Sequence, residues 1–409
     1  MRAFANLFLI LFLADGGFSL VDELVSLLTP LAPFTALRGL LGGMVSVTAA
    51  LVYLCLGIDR RLPKRLFLPL ISFVFFCPLS TWLFPALAGF RAYGLLAAAA
   101  QVALGSLPLC HFRNKGARCL TMPPALFAAP FFSLRNTLLF GAANLFVVPL
   151  ALALLSLFAA NSYMAGHTSG FMRLGPGGLS MTERVYRRDN RTIRLAAMIH
   201  VGSREYYDEL AASLATGRTI VLAEGVSDAR NLLRDRIDYG RVAGFLGLTS
   251  QQEMRLRGRI IEAAELESPR PRPRGAGDEA PAGEADILRA DVDVSAFRPP
   301  TILLFDALGR HLRESPSFAK GFLAFNSWGE KNITPEMYAI IMDDILHRRN
   351  MEVVRHLDKA LVRYDTVVIP WGALHMKEIE AEVLKRGFKL REEREKVSID
   401  FRKMLAGML

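Results

Sequence analysis

The chain has 409 residues, enough for two domains, and 52% of them are hydrophobic, more than a purely water-soluble protein carries. Of its 49 Lys and Arg, 11 fall in residues 1–160, against 4 of its 39 Asp and Glu. That part is therefore +7 on few charges and the remainder +3 on many. The positive balance sits mostly in loops between apolar segments, and no basic run interleaved with aromatics follows residue 160, which excludes a nucleic-acid partner.

All four cysteines (Cys55, Cys77, Cys110, Cys119) lie in the first part and none forms a C-x-x-C pair. A thiolate metal site or a disulfide framework in the remainder is excluded.

Residues 3–14 are apolar, short for a membrane span and close to a signal-peptide core in length. The Ala-Asp-Gly-Gly that follows is a poor cleavage site, which favours a retained anchor or half-buried helix over a removed signal. Gly39–Gly57, Leu66–Gly89, Tyr93–Leu109 and Thr137–Phe158 are each long enough to cross ~30 Å of hydrocarbon. Pro123–Phe132 is apolar but broken by proline, as an interfacial or re-entrant piece would be. Residues 1–160 thus read as an all-α domain of four to five spans whose charges sit at the span ends, an anchor rather than a transporter.

The loops Ile58–Arg65 (Arg60, Arg61, Lys64, Arg65) and His111–Met122 (Arg113, Lys115, Arg118) are basic, and the turn at 90–92 between them holds only Arg91. Basic loops stay inside, so residue 161 onward is expected on the non-cytoplasmic face of the cell membrane.

Residues 161–182, rich in Gly and small side chains, read as a linker. From 183 to 409 the pattern is that of an α/β domain, an α+β mixed sheet with flanking helices. Glu183–Tyr186 and Thr192–Ile199 flank a turn as a β-hairpin. The second strand ends at His200 and is followed by Ser203 as N-cap of a helix over Arg204–Ala215, stopped by Gly217. Thr219–Ala223 is a strand ending at Glu224. Leu248–Glu267 reads as a charged helix, 268–285 (with Pro-Arg-Pro-Arg-Pro-Arg) as a disordered insertion, and Thr301–Phe305 as an apolar strand. Thr334-Pro335-Glu336 opens a helix, and Thr366–Gly372 is a strand leading to His375 and a helix over Met376–Arg386.

His200, Glu224 and His375 each leave a strand end on what should be one rim of the sheet. Two imidazoles and a carboxylate are a ligand set of catalytic zinc sites, and also suit manganese or cobalt. His347 and His356 stand nine residues apart on one helix, on opposite faces, and with His111, His167 and His311 are taken as structural or solvated. Arg349-Asn350 offers a guanidinium and an amide to a substrate carboxylate or carbonyl.

The segments ending in Ile199-His200-Val-Gly-Ser, Leu-Ala-Glu224-Gly, Leu248-Thr-Ser-Gln251, Asp291-Val-Asp293-Val-Ser-Ala-Phe, Arg349-Asn350 and Gly372-Ala-Leu-His375 resemble, in order, those of the TraB/PrgY/GumN family over about residues 183–395. That family includes the Tiki proteins, membrane-tethered metal-dependent proteases. The resemblance implies a divalent metal held by His200, Glu224 and His375, with Arg349 and Asn350 orienting or polarising the substrate. It implies a general base at Glu224 or at another carboxylate, Asp291 or Asp293, and a pocket that includes Gly372. Of the two Gly-x-x-His motifs of the family the second is intact at Gly372–His375. The first departs, with Ala197 in place of glycine, which narrows the approach beside the backbone. The function implied is a membrane-anchored hydrolase acting on an extracytoplasmic peptide. The alternative is a protein that sequesters a peptide signal in the same pocket without cutting it; a transporter or sensor with a regulatory second part is a third reading.

Overall fold

The computed structural model describes residues 1–29, 33–84, 87, 90, 92–113, 121–213, 219–245, 247–267 and 285–406. Two compact units divide the chain, Met1–Phe158 and Ala159–Leu409. The Pro-Arg run, Gly217, Arg91 and most of the 111–122 loop lie outside the described residues.

The first unit consists of α1 (Arg2–Leu28), α2 (Thr35–Ile58), α3 (Lys64–Phe76), α4 (Ser80–Leu83), α5 (Tyr93–Arg113) and α6 (Leu134–His167), which runs past the boundary. Five stretches are long and apolar enough to cross a membrane: Arg2–Leu28, Thr35–Ile58, Lys64–Leu83, Tyr93–Phe112 and Leu134–His167. The expectation that charges sit at span ends fails in α1. The helix does not stop near residue 14 but continues through Asp15, its middle residue, and through Gly16-Gly17. Packing accounts for the first of the two glycines. A Cβ at Gly16 would stand 3.0 Å from Cγ of Gln101 on α5, so the bare backbone admits that side chain.

The second unit is built on an eight-stranded sheet. Its antiparallel side comprises β1 (Met172–Gly175), β2 (Gly178–Arg188) and β10 (Lys389–Asp400), with β2 pairing antiparallel to β3 (Arg191–Met198) as the expected hairpin. From β3 the sheet is parallel, through β9 (Thr366–Gly372), β5 (Thr219–Ala223), β8 (Ala285–Arg289) and β7 (Gly258–Ile261). The registers pair Met198 with Gly372 and Ala223 with Arg289, so the carboxyl ends of four parallel strands share one edge. Open parallel sheets place their ligand crevices there. A two-stranded ribbon, β4 (Val201–Gly202) with β6 (Thr249–Ser250), sits just beyond β3.

The helices are α7 (Arg204–Ser213), α8 (Tyr239–Phe245), α9 (Ala263–Glu267), α10 (Pro299–Glu314), α11 (Phe318–Asn332), α12 (Pro335–Met342), α13 (Arg349–Arg363), α14 (Ala373–Lys385) and α15 (Phe401–Ala406). Thr334 caps α12 as expected, its hydroxyl accepting from the Met337 amide. Between α12 and α13 the residues Asp343–Arg348 form a π-helical turn. On α13 Arg349, Asn350, Val353, Val354, His356, Leu357 and Ala360 are buried, a stripe at helical spacing that packs on the sheet.

Four local expectations are corrected. Residues 161–182 are not a linker: 161–167 continue α6, Ser169 and Gly170 turn the chain with positive φ, and 172–182 belong to β1 and β2. Thr301–Phe305 is helical, within α10, because Pro299-Pro300 preset helical φ at its first turn and five apolar residues are too few to show a period. Leu248–Glu267 is broken into β6, a 3-10 turn, β7 and α9, since β7 gains a parallel ladder with β8 that no local pattern announces. His375 lies in the first turn of α14 rather than at a strand end.

Candidate active site

The carboxyl edge of the parallel strands gathers most of the expected residues. Glu224 follows β5, Asp291 follows β8, Gly372 ends β9, His375 opens α14, and Arg349 and Asn350 open α13. At the centre stands Arg349. Its Nε donates to Asp291 Oδ1 at 3.0 Å and one terminal nitrogen to Asp291 Oδ2 at 2.7 Å. The same nitrogen reaches Glu224 Oε1 at 2.7 Å, and the other lies 3.2 Å from Nε2 of His375. Burial works against the charge, but the Asp291 and Glu224 carboxylates more than offset it and hold Arg349 above its ordinary pKa.

The remaining bonds fix each carboxylate. The Gly372 amide donates to Glu224 Oε2 at 2.8 Å, and the Gly225 amide to Asp291 Oδ2 at 3.0 Å. Below them Trp371 is fully buried, with its Nε1 donating to the Leu222 carbonyl at 2.9 Å and its ring 5.4 Å from the Arg349 guanidinium carbon. A Cβ at Gly372 would meet Glu224 and His375 only at ordinary contact, 3.4 Å or more, so a glycine is not sterically required there.

His375 is almost fully buried, and desolvation, then the charges of Arg349 and His200, holds its pKa well below the usual histidine value. The imidazole is neutral. Its Nδ1 lies 2.8 Å from Oδ1 of Asn350, whose Nδ2 donates to Glu378 Oε2 at 2.8 Å. An amide oxygen only accepts, so the proton sits on Nδ1 and the Nε2 lone pair faces outward. It points towards Arg349 and lies 3.6 Å from Glu224 Oε1.

His200 is held differently. The β4–β6 ribbon brings Gln251 beside it; the Gln251 amide donates to the His200 carbonyl at 2.9 Å, and Nδ1 lies 2.8 Å from Gln251 Oε1. Its exposed ring packs at a tilt against Tyr239, with centroids 4.7 Å apart and 34° between the planes. Burial, and after it the Glu224 carboxylate, pushes the Tyr239 phenol up.

Among the described residues no group of three or more His, Cys, Asp or Glu is already drawn together as metal ligands. The donor chemistry nevertheless fits a divalent cation. Two unprotonated donors, His375 Nε2 and Glu224 Oε1, stand 3.6 Å apart, a spacing that a shared ion ~2.1 Å from each spans. His200 keeps Nε2 unbonded among the described residues. The cation present between Glu224 and His375 is the Arg349 guanidinium.

Asp293 does not join the cluster. It accepts from the Ser227 hydroxyl at 2.8 Å and from the amides of Ala229 and Ser295 at 3.0 Å each, bonds that hold its pKa far below the ordinary carboxylate value. It organises a turn. Asp291 is bound on both oxygens, which leaves neither acid placed as a free base. Of the other histidines, His347 is exposed, His356 is buried against Glu352 with Nδ1 unpartnered, and His311 is half-buried near Trp328. Gln251, Tyr239, Trp371 and Glu378 were not anticipated as site residues. The one readable signal was the spacing of Glu378, three residues after His375 on one helix face.

No family model, curated protein or solved structure matches the chain.

Proposed function

We propose that the chain is a membrane-anchored, metal-dependent hydrolase of the TraB/PrgY/GumN kind that acts on a peptide outside the cytoplasm. The observation that carries this reading is the buried His375, whose tautomer is set by Asn350 and whose Nε2 faces Arg349 at 3.2 Å with Glu224 Oε1 3.6 Å away. His375, Glu224 and His200 would hold the divalent ion, which when bound supplies a Lewis acid and lowers the pKa of water from 15.7 to about 7. Zinc, manganese and cobalt all suit this donor set.

This chain's own residues divide the remaining work. Asp291 keeps Arg349 in place by two bonds, and the nitrogen that lies 3.2 Å from His375 Nε2 would turn its remaining N–H to negative charge growing on a peptide carbonyl oxygen. Glu224 is bonded on both oxygens, by Arg349 and by the Gly372 amide, and would take a proton from water only on exchanging one of these bonds for it. Asn350 and Glu378 fix the His375 ring.

Arg349 bonding Glu224, Asp291 and His375 at once favours a second reading. The cluster satisfies itself, as the wall of a binding pocket does, and the protein would then hold a peptide without cleaving it. The deciding experiment is made on the full chain in detergent. Metal content is measured for wild type and for His375→Ala, and a peptide library is followed by mass after incubation with manganese, cobalt or zinc. One ion per chain, lost in His375→Ala, with new cleavage masses supports the hydrolase. Metal content equal in both proteins overturns the metal site, and retained but intact peptide supports sequestration.

A further inference from the structure

The first unit contains a cavity of about 590 Å³ among α1, α2, α3 and α5. Its walls mix Asp15, Ser19, Arg38 and Gln101 with the apolar Val45, Phe73 and Val74. Asp15 is the middle residue of a helix apolar enough to cross a membrane. A carboxylate at that depth is costly unless a partner or ligand compensates it, and such residues mark sites.

Gln101 decides what kind of ligand the cavity suits. It is 8% exposed, and its Nε2 donates to the Phe12 carbonyl at 3.1 Å and to Asp15 Oδ2 at 2.9 Å. Both partners only accept, so the amide cannot be flipped, and its oxygen is directed elsewhere. Among the described residues Gln101 Oε1 accepts no hydrogen bond, and neither does Asp15 Oδ1. Two acceptors thus stand open to a donor that enters the cavity.

The nearest cation does not supply one. Arg38 Nε donates to the Ser19 hydroxyl at 3.1 Å, and its terminal nitrogens lie 2.8 Å from Asp22 and 3.0 Å from Glu23. Asp22 and Glu23 take up this guanidinium, and Asp15, which accepts from Gln101, adds a third carboxylate on the cavity wall, so negative charge is in excess. An anion is excluded on that ground. A bare alkali ion uses neither the size of the cavity nor its apolar wall, whereas an alkylammonium fills both. Its N–H groups meet Asp15 and Gln101, its carbon chain meets Val45 and Val74, and the Phe73 ring lies on the same wall, where an aromatic face attracts a cation.

We propose that this cavity is a binding site for a small organic ammonium ion, with Asp15 as counter-ion and Gln101 Oε1 as second acceptor. It is a site separate in kind from the Glu224–His375 centre and does not depend on the function proposed for that centre.

The test is equilibrium dialysis of radiolabelled propylammonium against the full chain in maltoside micelles, at constant ionic strength set by lithium chloride. Saturable binding of one ion per chain is expected, weakened at least tenfold in Asp15→Asn and unchanged in His375→Ala. Gly42→Leu guards against misfolding of the first variant. A Cβ at Gly42, a cavity residue, meets nothing within 4 Å, so the leucine is expected to block binding with the melting temperature kept. Absence of saturable binding overturns the proposal, as does wild-type binding in either Asp15→Asn or a folded Gly42→Leu. Loss of binding in His375→Ala, or displacement by sodium at concentrations equal to propylammonium, overturns it equally.

Discussion

Arg349 grips Asp291 by a two-pronged pair, Nε to Oδ1 at 3.0 Å and a terminal nitrogen to Oδ2 at 2.7 Å, with both side chains out of water. Breaking a buried pair leaves an uncompensated charge, which costs about 3–5 kcal/mol. Here removal of the guanidinium strands two carboxylates, Asp291 and Glu224. Arg349→Ala is expected to lower the stability of the second unit by at least that range, and Arg349→Lys by nearly as much, because an ammonium has no fork to match. Chemical denaturation followed by proteolysis of residues 159–409 measures it; a loss below about 1 kcal/mol would refute the pairing.

Acid should weaken the fold before the carboxylates titrate. The pKa of His375 is well below its usual value, and that of His356 is also lowered, both chiefly by burial. A depressed folded pKa means that the unfolded chain takes up the proton first. Stability is therefore full above about pH 6.5 and falls as pH is lowered below it, by up to about 1.4 kcal/mol per unit for each group, until the folded pKa is passed. Denaturant midpoints from pH 7.5 to 5 should show this slope, and His375→Asn should flatten part of it. An unchanged slope in that variant would place the effect elsewhere.

The proton of His375 belongs on Nδ1. Nitrogen-15 shifts of the imidazole should report the Nδ1–H tautomer in wild type. Asn350→Leu removes the acceptor, and a buried group left unbonded costs about 1–3 kcal/mol. A wild-type ring protonated on Nε2 would contradict both the amide assignment and the donor set.

Gln251 carries a prediction specific to the metal reading. It holds His200 through one backbone and one side-chain contact. Gln251→Ala keeps the backbone bond, so stability should change little. Loss of a group that orients a ligand typically weakens metal affinity by about 10–100-fold. Competition with a chelating dye measures this, and equal affinity in both proteins would remove His200 from the site.

Much of the edge was legible because strands β3, β5 and β9 are short β-branched or apolar runs with a polar residue one to three positions beyond their ends. That placed His200 and Glu224 beyond strand ends and brought His375 to the same rim, one helical turn later than expected. The pairing of Arg349 with Asp291 was not legible, since it depends on how α13 lies across the sheet. Nor was the attachment of His200 to Gln251, which a two-residue ribbon decides. Asp15 misled for a different reason: a charged residue beside two glycines reads locally as the end of a span, and only the α5 side chain that meets it explains why the helix continues.

The π-helical turn at Asp343–Arg348 holds one anchorage and leads directly to another. Within it, buried Asp344 accepts from the Arg298 amide and guanidinium and from the Thr301 hydroxyl, fastening α10; after it, Arg349 bonds Asp291 beyond the sheet. Such a turn holds one residue more than an α-helical one. Excising a single residue from 345–348 would restore the ordinary winding and swing Asp344 by about 100° relative to Arg349. A substitution between these two side chains keeps their spacing, whereas a change in chain length does not: the segment acts as a spacer whose count, more than its composition, keeps the guanidinium aimed.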